Sequence, residues 1–188
     1  MLTPSPTKPG LEVYFVRHPR PAVPEGLCYG STDLGLSEDV DVVAARLRQA
    51  LPPDLALFAS PLGRCRALAE RLHPAPVYDE RLREMSFGDW ELRPWSELPR
   101  SELDAWAAAP LDYTPPGGEP VSALWSRVAA FVADRRAKGD SSIIVVSHAG
   151  VLKVLAAELA GLPLAVWSTL TLDFGAVRRI DASLTASG

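Results

Sequence analysis

The sequence has 188 residues, enough for one domain and short for two, with 47% apolar residues, 22% charged residues and a formal net charge of −4. A domain of that length hides roughly 70% of the surface its unfolded chain exposes, so it needs no metal or disulfide staple. The negative balance disfavours nucleic-acid or membrane partners but leaves room for a small anion held by a few local arginines.

Met1–Gly10 carries prolines and no apolar core of a signal peptide, and reads as a disordered lead before a single domain over residues 11–188. Leu11–Val16 is a β-prone apolar run that ends at Arg17-His18-Pro19. Pro19, Pro21 and Pro24 forbid regular structure until about residue 36. Ser37 is a suitable N-cap for a helix with Val40, Val43, Ala44, Leu47 and Leu51 on one face, stopped by Pro52-Pro53. Leu55–Ala59 is a second short strand, and Ser60-Pro61 opens a helix that buries Leu62, Cys65, Ala69 and Leu72.

The stretch from 79 to 118 is less regular, with a short helix around Ser101–Ala109 and a turn at Pro115-Pro116-Gly117-Gly118. A long helix with Val121, Leu124, Trp125, Val128 and Val132 on one face ends at Gly139. Ile143–Val146 is the strongest strand signal and leads into Ser147-His148, followed by a helix from about Ala149 to Ala160. Thr169–Phe174 and Ala176–Ile180 read as two closing strands around Gly175. Strands alternating with helices predict a layered α/β/α domain with a mostly parallel central sheet.

Three of the apolar strands are followed by Arg17-His18, by Ser60 to Arg64, and by His148. In open α/β sheets ligands bind at the carboxyl ends of the strands, so parallel neighbours would gather two arginines and two histidines at one edge. That group suits a phosphate, because guanidinium forks match its oxygens and helix N-termini add backbone donors. The two cysteines, Cys28 and Cys65, fit neither a CxxC nor a zinc spacing, and the three histidines show no metal-ligand spacing. Reduced buried thiols and the lack of an apolar run near ~20 residues predict a cytoplasmic protein with no membrane partner, and the sequence leaves oligomeric state open.

The ordered set Val16-Arg17-His18-Pro19, Ser60-Pro61-Leu62-Gly63-Arg64, Glu84 before Phe87-Gly88-Asp89-Trp90-Glu91, Gly117-Gly118-Glu119 before Arg127, and Ser147-His148-Ala149-Gly150 resembles the histidine phosphatase superfamily. That group includes cofactor-dependent phosphoglycerate mutase, and the resemblance runs from about Leu11 to Ile180. It implies a phosphoglycerate mutase-like fold and a phosphatase that needs no cofactor and no metal. His18 would be the nucleophile and Glu84 the proton donor. Arg17, Arg64 and His148 would bind phosphate, and Tyr29, Ser31 and Thr32 would lie on a loop bordering the substrate. Two departures stand out: Pro19 replaces the usual glycine, and Leu92 replaces a glycine that often follows Trp-Glu. Arg-His-Pro together with Cys28-Tyr29-Gly30-Ser31-Thr32-Asp33-Leu34 resembles the α-ribazole phosphatase-like branch, linked to cobalamin assembly. The expected partner is a small phosphorylated metabolite such as α-ribazole 5′-phosphate. The alternatives are a mutase-type phosphotransferase, against which the short proline-broken stretch after Trp90-Glu91 argues, and a non-catalytic phospho-ligand binding module.

Overall fold

The computed structural model describes residues 10–161 and 170–181. Its elements in chain order are β1 (Glu12–Arg17), α1 (Val40–Arg48), β2 (Leu57–Ala59), α2 (Gly63–Leu72), β3 (Val77–Tyr78), α3 (Arg100–Ala108), α4 (Val121–Ala137), β4 (Ser142–Ser147), α5 (Ala149–Ala160) and β5 (Val177–Ile180). Short 3₁₀ turns at Glu80–Leu82, Gly88–Trp90 and Trp95–Glu97 fill the stretch between β3 and α3. The sheet runs β3-β2-β4-β1-β5, with β5 antiparallel to β1 and every other pairing parallel.

Strand β4 shows why a continuous apolar run was required. Ile143 and Val145 pack with Val128, Phe131, Leu152 and Leu155 of α4 and α5, whereas Ile144 and Val146 pack with α1 and α2 around Leu47 and Leu68. Successive side chains point to opposite faces, so a strand covered by helices on both sides must be apolar at every position. Each of these buried side chains contributes on the order of 1.5–3 kcal/mol. The layered α/β/α arrangement thus matches the expectation from the sequence.

A separate aromatic cluster joins Cys28, Trp90 and Leu98 to Phe87, Trp95, Trp106 and Tyr113. Trp95 and Trp106 stack with centroids 5.9 Å apart, and Trp90 donates its indole N–H to Glu102 at 2.6 Å. This cluster gives the irregular stretch between β3 and α4 a core of its own.

Several local expectations are corrected. Asp39, not Ser37, caps α1, accepting the N–H groups of Asp41 and Val42, while Ser37 Oγ donates to the carbonyl of Arg20. Helix α2 begins at Gly63 with Leu62 at its N-cap position, and the Ser60 hydroxyl accepts the N–H of Leu62 at 3.4 Å while lying 2.8 Å from His148 Nε2. Its first-turn N–H of Gly63 goes to the carboxylate of Asp33 at 2.9 and 3.0 Å. The expected strand Thr169–Phe174 is not formed over its described part, residues 170–174. There the carbonyl of Leu172 accepts from Arg17 Nη1, and Phe174 packs on Arg17 and His18, so this segment covers the end of β1 instead of extending the sheet. The expected disordered lead, apart from Gly10, lies outside the described residues. Among the described residues no helix is long and apolar enough to cross a membrane.

Candidate active site

Strands β2, β4 and β1 are adjacent and parallel, so their carboxyl ends lie side by side. The N–H of His18 donates to the carbonyl of Ser147 at 3.1 Å, and the N–H of Ser60 to that of Val146 at 3.0 Å. These bonds carry the sheet register one residue past the strands and bring the His18 and His148 rings to 5.1 Å between centroids.

His18 is 2% exposed, and its Nδ1 lies 2.7 Å from the carbonyl oxygen of Pro19. A carbonyl only accepts, so Nδ1 carries the proton and Nε2 presents a lone pair. Burial, then Arg64, pushes the pKa of His18 down to about 3, with Arg17 adding to the fall and the Pro19 carbonyl opposing it. Pro19 thus supplies the acceptor that fixes the tautomer, a role that its missing N–H does not touch.

Arg64 is buried, and its Nη1 and Nη2 donate to the carbonyls of Thr32 and Gly30 at 2.7 and 2.6 Å. Arg17 donates Nη1 to Leu172 at 2.7 Å and lies 3.8 Å over the ring of Phe174. The Nε atoms of both arginines are buried without a hydrogen-bond partner in the protein. His148 is fully buried at the start of α5, with Nε2 2.8 Å from Ser60 Oγ and 3.4 Å from Cys65 Sγ. Burial, then Arg64, holds its pKa well below the ordinary value. Cys65 stays a thiol, since burial raises its pKa.

Glu84 sits in the connection after β3. Its Oε1 accepts the N–H of Met85 at 3.0 Å and its Oε2 accepts the N–H of Gly150 at 3.1 Å. A Cβ on Gly150 would lie 2.3 Å from Glu84 Oε1, so glycine is what lets the carboxylate reach the first turn of α5. Arg127 clamps the backbone before Glu84, donating to the carbonyls of Arg81 and Arg83 at 2.8 and 2.6 Å while pairing with Glu119 at 2.7 Å. Glu84 lines an apolar cavity of about 730 Å³ together with Phe87, Trp106, Leu111, Leu124 and Lys153. On its other side it borders a smaller polar cavity with Ser31, Ser86 and Arg127.

The loop expected to border the substrate is held from below. Glu91 accepts the N–H groups of Ser31, Thr32 and Phe87 at 3.0, 2.7 and 2.9 Å, and the hydroxyls of Ser31 and Thr32 as well. Burial raises the Glu91 pKa, but the bonds from Thr32, Phe87 and Ser31 outweigh it, so the carboxyl titrates below its ordinary value. The Tyr29 ring lies 5.8 Å from the Arg64 guanidinium carbon.

His18, Arg17, Arg64, His148 and Glu84 therefore share one end of the sheet, with Tyr29, Ser31 and Thr32 on the loop beside Arg64. Glu91, Asp33, Phe174 and Lys153 had no expected role in the site. Glu91 and Asp33 lay inside motifs quoted from the sequence, whereas Phe174 and Lys153 carried no local signal. Among the described residues no cluster of His, Cys, Asp or Glu has the arrangement of a metal site. The chemistry open to this arrangement is attack by a neutral imidazole on an electrophile held by cations, with a carboxyl group to move a proton.

The family model described as histidine phosphatase superfamily (branch 1) matches residues 13–184. An adenosylcobalamin/alpha-ribazole phosphatase of Escherichia coli (strain K12) is 35% identical over 118 residues, 61% of this chain and 58% of that protein. The Salmonella typhimurium relative of the same description is matched over 52% of its length, so the chain spans little more than half of these two relatives. The alpha-ribazole phosphatase from Shigella flexneri superposes with a TM-score of 0.80 at 27% identity, covering 91% of this chain and 90% of that one. The phosphoglycerate mutase from Thermus thermophilus gives 0.75 at 29% identity, over 92% and 94% of the two chains.

Proposed function

The chain belongs to branch 1 of the histidine phosphatase superfamily, and on that premise we propose that it hydrolyses phosphomonoesters through a phosphohistidine at His18. One observation carries the reading: His18, with Nδ1 held by the Pro19 carbonyl, stays neutral and presents Nε2 among Arg17, Arg64 and His148.

In the first step the Nε2 lone pair attacks phosphorus and the bond from phosphorus to the alcohol oxygen breaks. Glu84, as the acid, gives its proton to that oxygen. In the second step the Glu84 carboxylate takes a proton from water, whose oxygen attacks phosphorus. The P–N bond breaks, its electron pair returns to Nε2, and inorganic phosphate leaves. Arg17, Arg64 and His148 hold the phosphoryl oxygens, and phosphoryl transfer draws most of its acceleration from such rigid positioning and charge. Tyr29 and Ser31 border the substrate, while Thr32 acts through its carbonyl on Arg64 and its hydroxyl on Glu91.

The alcohol part of the substrate is assigned to the apolar cavity beside Glu84. A benzimidazole nucleoside such as α-ribazole fits walls of that kind, and relatives of this chain are named for it. Likeness to a phosphoglycerate mutase favours a second reading, transfer between two hydroxyls of phosphoglycerate. Assaying α-ribazole 5′-phosphate, a panel of other phosphomonoesters, and 3-phosphoglycerate with 2,3-bisphosphoglycerate separates the two. Phosphate release with an acid-labile phosphohistidine on rapid quench is the expected result. Fast isomerisation of phosphoglycerate with negligible release would overturn the hydrolase reading. Unchanged turnover in His18→Ala would remove the nucleophile.

A further inference from the structure

The walls of the apolar cavity carry few ionisable side chains: Glu84, Asp112 and Lys153. Lys153 lies four residues after Ala149 on α5, so the two share a helix face, and both line the cavity. Gly150 of the same turn holds Glu84 Oε2. From Gly150 to Lys153 the helix rises about 4.5 Å.

We propose that Lys153 is a specificity-determining residue: its ammonium receives a hydrogen-bond acceptor, best an anionic one, on the alcohol part of the substrate. The proposal rests on the phosphohydrolase reading and adds to it the class of alcohol, an apolar ring or chain bearing an acceptor. Burial lowers the pKa of Lys153, and Glu84 opposes the fall. Neither Asp112 nor Glu84 can carry positive charge, so among the ionisable side chains lining this cavity Lys153 alone can donate to such a group as a cation. Its flexible stem lets the charge follow acceptors at more than one position on the ring.

The test compares benzyl phosphate with 4-carboxybenzyl phosphate, which share the same kind of leaving oxygen. In the unaltered protein kcat/KM should favour the carboxylated ester. In Lys153→Met the ratio of the two kcat/KM values should fall about tenfold or more, the loss expected for a hydrogen bond to a charged group. Lys153→Arg should keep most of the ratio, which a purely structural role would not predict. If Lys153→Met does not fold, Lys153→Gln reads the same ratio. A ratio unmoved by loss of the charge, or no preference in the unaltered protein, overturns the assignment. Rapid-quench detection of phosphohistidine with benzyl phosphate accompanies each assay. No phosphohistidine in the unaltered protein overturns the hydrolase reading and this inference together, whereas normal phosphohistidine with an unmoved ratio overturns only the role of Lys153.

Discussion

Gly150 donates its backbone N–H to Glu84 Oε2 at 3.1 Å, so the helix turn that follows His148 also fixes the carboxyl group. The start of α5, which carries His148, and the Glu84 carboxyl group are thereby tied together. Glu84→Gln keeps an oxygen for that bond and removes the transferable proton. Hydrolysis of alkyl phosphates should fall about 10²–10⁴-fold. The phosphoenzyme burst with p-nitrophenyl phosphate, whose leaving group needs no proton, should be largely preserved. Stopped-flow and rapid-quench measurements on both esters read the contrast, and equal losses would count against Glu84 as the acid.

His18 is buried in its neutral form, and its folded pKa of about 3 lies below the ordinary 6.5. The unfolded chain therefore binds a proton that the folded protein refuses between these values. Stability contributed by neutral His18 is full above about pH 6.5 and is lost as pH falls towards 3. His148 is shifted in the same direction, which steepens the loss. Urea midpoints measured from pH 7 to pH 4 should decline, and less so in His18→Asn. NMR titration of the His18 ring should show no protonation down to about pH 4.

Glu91 ties Ser31, Thr32 and Phe87 together, and the loop it holds supplies the carbonyls that aim Arg64. Glu91→Ala should cost about 1.5–3 kcal/mol, the range for hydrogen bonds to a charged group. It should also raise KM for every phosphomonoester, because Arg64 loses its seat. Denaturant melts and steady-state kinetics measure the two effects. A stability loss with KM unchanged would separate the loop from phosphate binding.

Gly30 passes so close to its neighbours that a Cβ would lie 2.0 Å from the Met85 carbonyl oxygen and 2.8 Å from Phe87 Cδ2. Overpacking in a filled site costs about 1–3 kcal/mol, and a contact with backbone this short belongs at or above the upper end. Gly30→Ala should therefore lower Tm by several degrees. Gly35→Ala on the same connection meets nothing within 4 Å and should leave Tm nearly unchanged. Differential scanning calorimetry of the pair checks the geometry of the loop.

The residues gathered at the sheet edge were legible because each stands directly at a strand end or in a short motif. Arg17-His18, Arg64 and His148 needed only the inference that β1, β2 and β4 are parallel neighbours. Ser60 is not the N-cap of α2, which starts at Gly63 after Leu62; its hydroxyl accepts the N–H of Leu62 and also meets His148 Nε2, 88 residues away in sequence. Short-range capping rules cannot foresee a partner that only folding brings near. The strand expected at 169–174 failed in its described part for a similar reason, since Arg17 and His18 claim that backbone and the Phe174 ring.

By itself the sequence determined the alternation of strands and helices, the apolar run of β4, and the identity of the groups at the site. Those features follow from side-chain type and from the fixed periods of helix and strand, which are local properties. Only the tertiary structure decided that Pro19 holds the His18 tautomer, that Glu91 seats the loop under Arg64, and that Lys153 reaches the cavity beside Glu84. The physical reason is that a hydrogen bond or a cavity wall depends on the packing of segments far apart in the chain, and no local pattern records which distant atom arrives first.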